Sequence, residues 1–172
     1  MTSEEKDAVA QAAYDRYRGW YGEEHMGNGS CLYWAQVGCV ELWKRGVRAL
    51  PQAGSMSWPI LMPGDPEDDG VRPTHLSYEW GEGGVDSQLA IGMGALPEVH
   101  VWIGIPGTGE IVDFSTRWLR LAAERLGLEW RTPEPPNYVW CRGEDLPAGV
   151  VYQPKLDAIF AMMARIGKMR GK

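Results

Sequence analysis

The sequence predicts an α+β fold. Two well-bounded helical periodicities open the chain, and a strand–turn–strand pattern occupies residues 98–114. Helices precede and follow that hairpin without regular strand–helix–strand alternation, which is the α+β pattern. A chain of 172 residues, 44% hydrophobic and 23% charged, is expected to form one domain over residues 1–172 with a core of its own.

Ser3 followed by Glu4 and Glu5 has the character of an N-cap and an acidic first turn. Val9, Ala13, Tyr17 and Trp20 then fall on one stripe of a helix running to about residue 18. A Gly-rich loop covers residues 22–30. Ser30 stands where a second helix needs a cap. Leu32, Ala35, Cys39, Leu42 and Trp43 recur at helical spacing behind it, and Gly46 supplies the stop. The same spacing puts Cys39 on the buried stripe, as a small core residue. A strand is expected within residues 47–62, around 53–58. Residues 63–94, rich in Gly and acids, read as a long loop excursion with a short strand at 75–80.

The clearest signal follows. Residues 98–105 alternate like a strand, 106–109 have turn composition, and 110–114 form the return strand. Ser115 or Thr116 then caps a helix that runs through Leu126 and stops at Gly127. Pro133, Pro135 and Pro136 break the chain before a strand at 138–141. Pro154 starts a last amphipathic helix carrying Leu156, Ile159, Phe160, Met163 and Ile166.

Composition excludes some classes. A net charge of −6 argues against general binding to a nucleic-acid backbone, and the acids are expected to solvate the surface. No apolar run approaches the roughly 20 residues that span a bilayer. The first residues lack the basic-then-apolar layout of a signal peptide. The expected location is therefore cytoplasmic, with no membrane and no nucleic-acid partner. Three cysteines, an odd number without close pairing, argue against a disulfide framework and against structural zinc. No metal or cofactor is expected. Nine Trp against two Phe fit either core filling or an aromatic-walled cleft.

Cys31, His100 and Asp113 carry the chemical hypothesis. A cysteine attacks as the thiolate, which a helix N-terminus and a neighbouring imidazolium both favour. Cys31 follows the expected cap directly, so it has the first device by position. The second requires a histidine. His100 lies on the hairpin, whereas His25 sits in a loop six residues before Cys31 and His75 in the acidic excursion. If the turn holds residues 106–109, Ile105 opposes Glu110 and Trp102 opposes Asp113. His100, Trp102 and Asp113 then share one face of the sheet. That parity lets a carboxylate orient the imidazole. Val99, Val101, Ile103 and Ile105 make the other, apolar face.

The set Gly29-Ser30-Cys31 opening a helix, His100-Val101-Trp102 on a strand and Ile111-Val112-Asp113-Phe114-Ser115-Thr116 on the next resembles the papain-like superfamily. It is most similar to the transglutaminase-like branch, over roughly residues 25–116. The resemblance implies a central helix that begins at the cysteine and packs on a small antiparallel sheet. It also implies a catalytic triad of Cys31, His100 and Asp113 acting on a peptide, amide or acyl substrate through an acyl-enzyme. Members of the superfamily complete an oxyanion hole with the cysteine N–H and an upstream donor. Asn28 is the leading candidate here, ahead of His25 and Trp20, and Trp102 is a candidate cleft wall. The long excursion before His100 departs from the core pattern. The alternative is a non-enzymatic binding module on the same fold, for instance within a larger phage or bacterial assembly.

Overall fold

The first helix starts where the chain can cap it. Thr2 Oγ1 accepts from the Glu5 N–H at 3.2 Å, and Glu5 reaches back to the Thr2 N–H at 2.7 Å. The cap is thus Thr2 and not Ser3, because only Thr2 has a carboxylate three residues on to reciprocate. The structure is a computed structural model that describes residues 1–23, 30–62, 72–78, 99–125, 130 and 134–170. Helix α1 spans Ser3–Tyr21 and buries Val9, Ala10, Ala13 and Tyr17. Trp20 departs from the expected stripe. It is half exposed, with the Arg16 guanidinium 4.9 Å above its ring.

Helix α2 spans Cys31–Trp43 and is apolar nearly all round, so it lies in the interior. Ser30 occupies the N-cap position without a side-chain cap bond, because its hydroxyl pairs with Tyr17. Glu41 is buried on this helix and is neutralised by Arg16, Lys44 and Arg45. The helix ends in a Schellman turn. Val47 N–H bonds Leu42 O, Gly46 N–H bonds Trp43 O, and Gly46 has a φ of +74°. The expected stop at Gly46 is therefore present. Trp43 is half exposed and donates through Nε1 to Ala49 O at 2.7 Å.

The sheet is antiparallel throughout and has six strands. They are β1 Leu50–Met62, β2 Arg72–Tyr78, β3 His100–Ile105, β4 Glu110–Asp113, β5 Val139–Arg142 and β6 Val151–Pro154. The path runs β2-β1-β3-β4-β5, with β6 also paired to β1. Ile105 opposes Glu110 and Ile103 opposes Val112, the register expected for a four-residue turn. β2 starts earlier than the expected strand at 75–80 and joins the sheet. Part of the 63–94 excursion is therefore sheet and not loop. Residues 63–71 and 79–98 lie outside the described residues.

After β4 the chain makes a 3-10 turn, Thr116–Trp118, and then α3, Leu119–Arg125. The expected end of that helix at Leu126 and Gly127 lies outside the described residues. β6 has no counterpart in the expectations: four residues are too few to show alternation. Pro154 closes β6, and the last helix, α4, begins at Leu156. Its core contacts are Ala158 and Met162, whereas Leu156 is 75% and Phe160 69% exposed. The expected apolar set is therefore split: Ile159 packs against the core beside Ala158 and Met162, whereas Leu156, Phe160 and Met163 are exposed.

Both sheet faces are covered. Val101, Ile103, Ile105, Val112 and Trp140 pack with residues of α1, α2 and α4 in one cluster. Met56, Trp58, Ile60, Trp102 and Tyr152 pack with Leu119, Ala122 and Ala123 of α3 in the other. No described helix is long and apolar enough to cross a membrane.

Candidate active site

The candidate site forms where two strands meet along β1. Met56 and Ser57 pair with both β2 and β6, so β6 lies on the flank of β1 opposite β2. That is the flank β3 occupies over residues 50–54. β3 and β6 therefore meet end to end at Gly54, whose partners are His100 and Pro154. A Cβ at position 54 would collide with the Gln153 carbonyl oxygen, so only glycine lets the ends close up.

His100 is the first residue of β3, so its imidazole stands at the end of the strand. The N-terminus of α2 reaches the same place. Cys31, its first residue, is partly exposed, donates weakly to Val99 O at 3.8 Å and lies within hydrogen-bonding reach of the His100 ring. The position of α2 depends on Gly38. A Cβ there would stand 2.5 Å from Ile103 Cδ1 and 2.6 Å from Phe114 Cε2.

Asp113 closes the set. Its Oδ2 lies 2.6 Å from His100 Nε2, which leaves Nδ1 as the ring nitrogen for Cys31. Oδ2 also accepts from the Tyr152 hydroxyl at 2.8 Å. Oδ1 accepts from the Ser115 N–H at 2.8 Å and the Ser115 hydroxyl at 2.7 Å. Four donors thus surround a carboxylate that is only 2% exposed, as a buried charge requires.

These contacts determine the protonation states. Burial opposes a charged His100, but the Asp113 carboxylate and the bonds to Asp113 and Cys31 outweigh it. The imidazole pKa is raised to about 10. Burial likewise opposes ionisation of Asp113, and the charge of His100 with the donors from His100 and Ser115 holds its pKa below the ordinary value. At neutral pH the site carries an imidazolium against a carboxylate, with Cys31 within its reach. The other thiols are different. Burial pushes Cys39 up to about 12. Cys141 is raised by burial and then by Asp145.

The expected site residues can now be located. Cys31, His100 and Asp113 come together, across helix, strand and hairpin. Trp102 is buried, not open to a cleft; it stacks 6.2 Å from His100 and meets Tyr152 edge-on at 5.2 Å. It is a floor beneath the imidazole. Tyr78, half-buried with its ring 5.3 Å from His100, is an aromatic neighbour with accessible surface. Trp20 is held against Arg16. Asn28 and His25 lie outside the described residues. Among the described residues no three His, Cys, Asp or Glu side chains cluster as a metal site would need.

Sequence reasoning missed two contributors. Ser115 was read as a candidate helix cap and as part of the motif around Asp113, with no bond to the carboxylate assigned, although Asp-x-Ser is the spacing at which a carboxylate accepts its neighbour's N–H. Tyr152 gave no signal, because 39 residues separate it from Asp113 and its strand is four residues long. Comparison of the chain with protein-family models, with curated proteins and with solved structures finds no match.

Proposed function

We propose that this chain is a papain-like cysteine enzyme, of the transglutaminase-like kind, that cleaves or transfers an acyl group from an amide or thioester. The observation that carries the reading is the continuous line from Asp113 through His100 to Cys31 at the start of a helix. Cys31 attacks the carbonyl carbon as the thiolate, and the carbonyl oxygen takes the negative charge. The first N–H groups of a helix have no intrahelical partners, so the Cys31 N–H is available to that oxyanion. The tetrahedral adduct then expels its amine or thiol. The His100 imidazolium gives its proton to the leaving group, and an acyl-Cys31 thioester remains. Water, or an amine acceptor, attacks the thioester while His100 takes a proton back. Asp113 keeps Nε2 as the N–H end of the ring, so that Nδ1 serves the reaction.

The test is acylation of Cys31. Incubated with a panel of arylamides and acyl thioesters, the chain should form an acyl adduct on Cys31 and turn over. Cys31→Ala should abolish both, and His100→Ala should cut turnover by roughly a hundredfold or more. Unchanged turnover in either variant contradicts the reading.

A binding module on the same fold is the second reading. The exposed Leu156, Phe160 and Met163 on α4 favour it, since they lie one and two turns apart on a single helix. Binding alone predicts that Cys31→Ser keeps every partner and that Cys31 has no special reactivity.

A further inference from the structure

We propose that Tyr152 is a positioning residue of this site, its hydroxyl setting how firmly Asp113 holds the proton of His100. The inference rests on the reading of Cys31, His100 and Asp113 as a catalytic set.

The geometry is specific. Tyr152 donates to Oδ2, the same oxygen that His100 Nε2 engages, while Ser115 supplies both donors to Oδ1. Tyr152 therefore shares the very oxygen through which the carboxylate acts on the imidazole. Its own place is fixed independently of that bond. It pairs with Met56 across the β1–β6 ladder, and Gly54 admits the end of β6 beside His100. Its ring meets Trp102 edge-on and lies 5.9 Å from the His100 ring. A buried phenol must find an acceptor, and the acceptor chosen here is the carboxylate of the site.

The consequence has a sign. A carboxylate facing a neutral imidazole has more charge to offer than one facing an imidazolium. The Tyr152 bond is therefore stronger when His100 is neutral, and it loosens the hold of Asp113 on the proton. Among the described residues, the groups facing His100 are Cys31 from α2, Tyr78 from β2, Asp113 from β4 and Tyr152 from β6; Cys141 of β5 interacts electrostatically with Tyr152. An imidazolium held less tightly gives its proton more readily to a leaving group. That step matters for an amide, whose amine must be protonated to depart, and little for a thioester, whose thiolate leaves unaided.

The experiment is Tyr152→Phe in the full chain, with NMR titration of the His100 ring assigned through His100→Gln. The expected result is a rise of about half a pH unit or more in the His100 midpoint, because Ser115 still holds Asp113 in place. Amide turnover should fall several-fold while thioester turnover stays within about twofold. An unchanged or lowered midpoint overturns the proposal, and so does an equal loss on both substrate types. If Tyr152→Phe does not fold, the wild-type chain still decides. Its Tyr152 hydroxyl proton should show through-space contacts to the His100 ring and shift as that ring titrates. A hydroxyl proton insensitive to the His100 titration overturns the proposal. Neither NMR readout needs turnover, so an unreactive Cys31 would defeat the enzymatic reading and leave the Tyr152 coupling separately testable.

Discussion

Asp113 is held by four donors, His100 among them, and the protein's pH response follows from that. His100, raised to about 10 from an ordinary 6.5, contributes stability that is fully present below 6.5 and is lost as pH rises through the folded value. Asp113, held below its ordinary 3.8, contributes stability present above that value and lost as pH falls through its folded one. The two shifts describe one interaction, worth most between roughly pH 4 and 6.5. Asp113→Asn should therefore cost about 3–5 kcal/mol at pH 6, since it strands a buried partner. That corresponds to a fall of roughly 10 °C in Tm. The cost should shrink steadily toward pH 10; thermal melts at pH 6 and 9.5 check it, and an equal cost at both contradicts the ion pair. The residue types and hairpin parity that join His100 to Asp113 were legible, because alternation on a strand is a local rule. The other two side chains bonded to Asp113 were not both legible. Ser115 lies two positions away, within reach of a local rule, whereas Tyr152 is brought in only by tertiary pairing.

At the scale of elements, the site depends on how closely α2 approaches the sheet. Gly38 faces Ile103 and Phe114, so Gly38→Ala must push the helix or both side chains away. Overpacking of this kind costs about 1–3 kcal/mol. Because α2 also carries Cys31, the variant should slow alkylation of that thiol as well as lower Tm. A lower Tm with unchanged Cys31 reactivity would show that the helix position is not what aligns the site. Gly46→Ala makes a useful contrast. Its φ of +74° penalises alanine by about 1 kcal/mol, at the far end of α2 from Cys31. It should lower Tm by a few degrees and leave reactivity intact. The bounds of α2 and the hairpin register were legible from spacing, caps and turn residues. The cap bond at Ser30 was misjudged because Tyr17, on another helix, takes its hydroxyl. The apolar residues of α4 do not all turn the same way: Ile159 packs inward, and Leu156, Phe160 and Met163 do not. Hydrophobicity marks apolar residues, but the packing buries Ala158 and Met162 most deeply.

At the scale of the whole molecule, one antiparallel sheet divides two apolar clusters, and the candidate site lies at the strand ends. That arrangement separates the three thiols physically. Cys39 is sealed in the core, Cys141 is partly exposed with no imidazole against it among the described residues, and Cys31 is the cysteine that meets His100. The α+β class was legible because the long periodic segments and the hairpin obey local rules. The six-strand order was not, since β6 is recruited to β1 over a long chain separation, Gly54 to Pro154, and β2 falls in a segment read mainly as loop. The most direct measurement is iodoacetamide alkylation as a function of pH, with mass-spectrometric mapping of Cys31, Cys39 and Cys141 in the native wild-type chain and in His100→Ala. The account predicts that Cys31 reacts first at pH 6–7, at least about tenfold faster than Cys141, and that His100→Ala removes this advantage. Equal reactivity of Cys31 and Cys141, or a Cys31 rate unaffected by loss of His100, would contradict it.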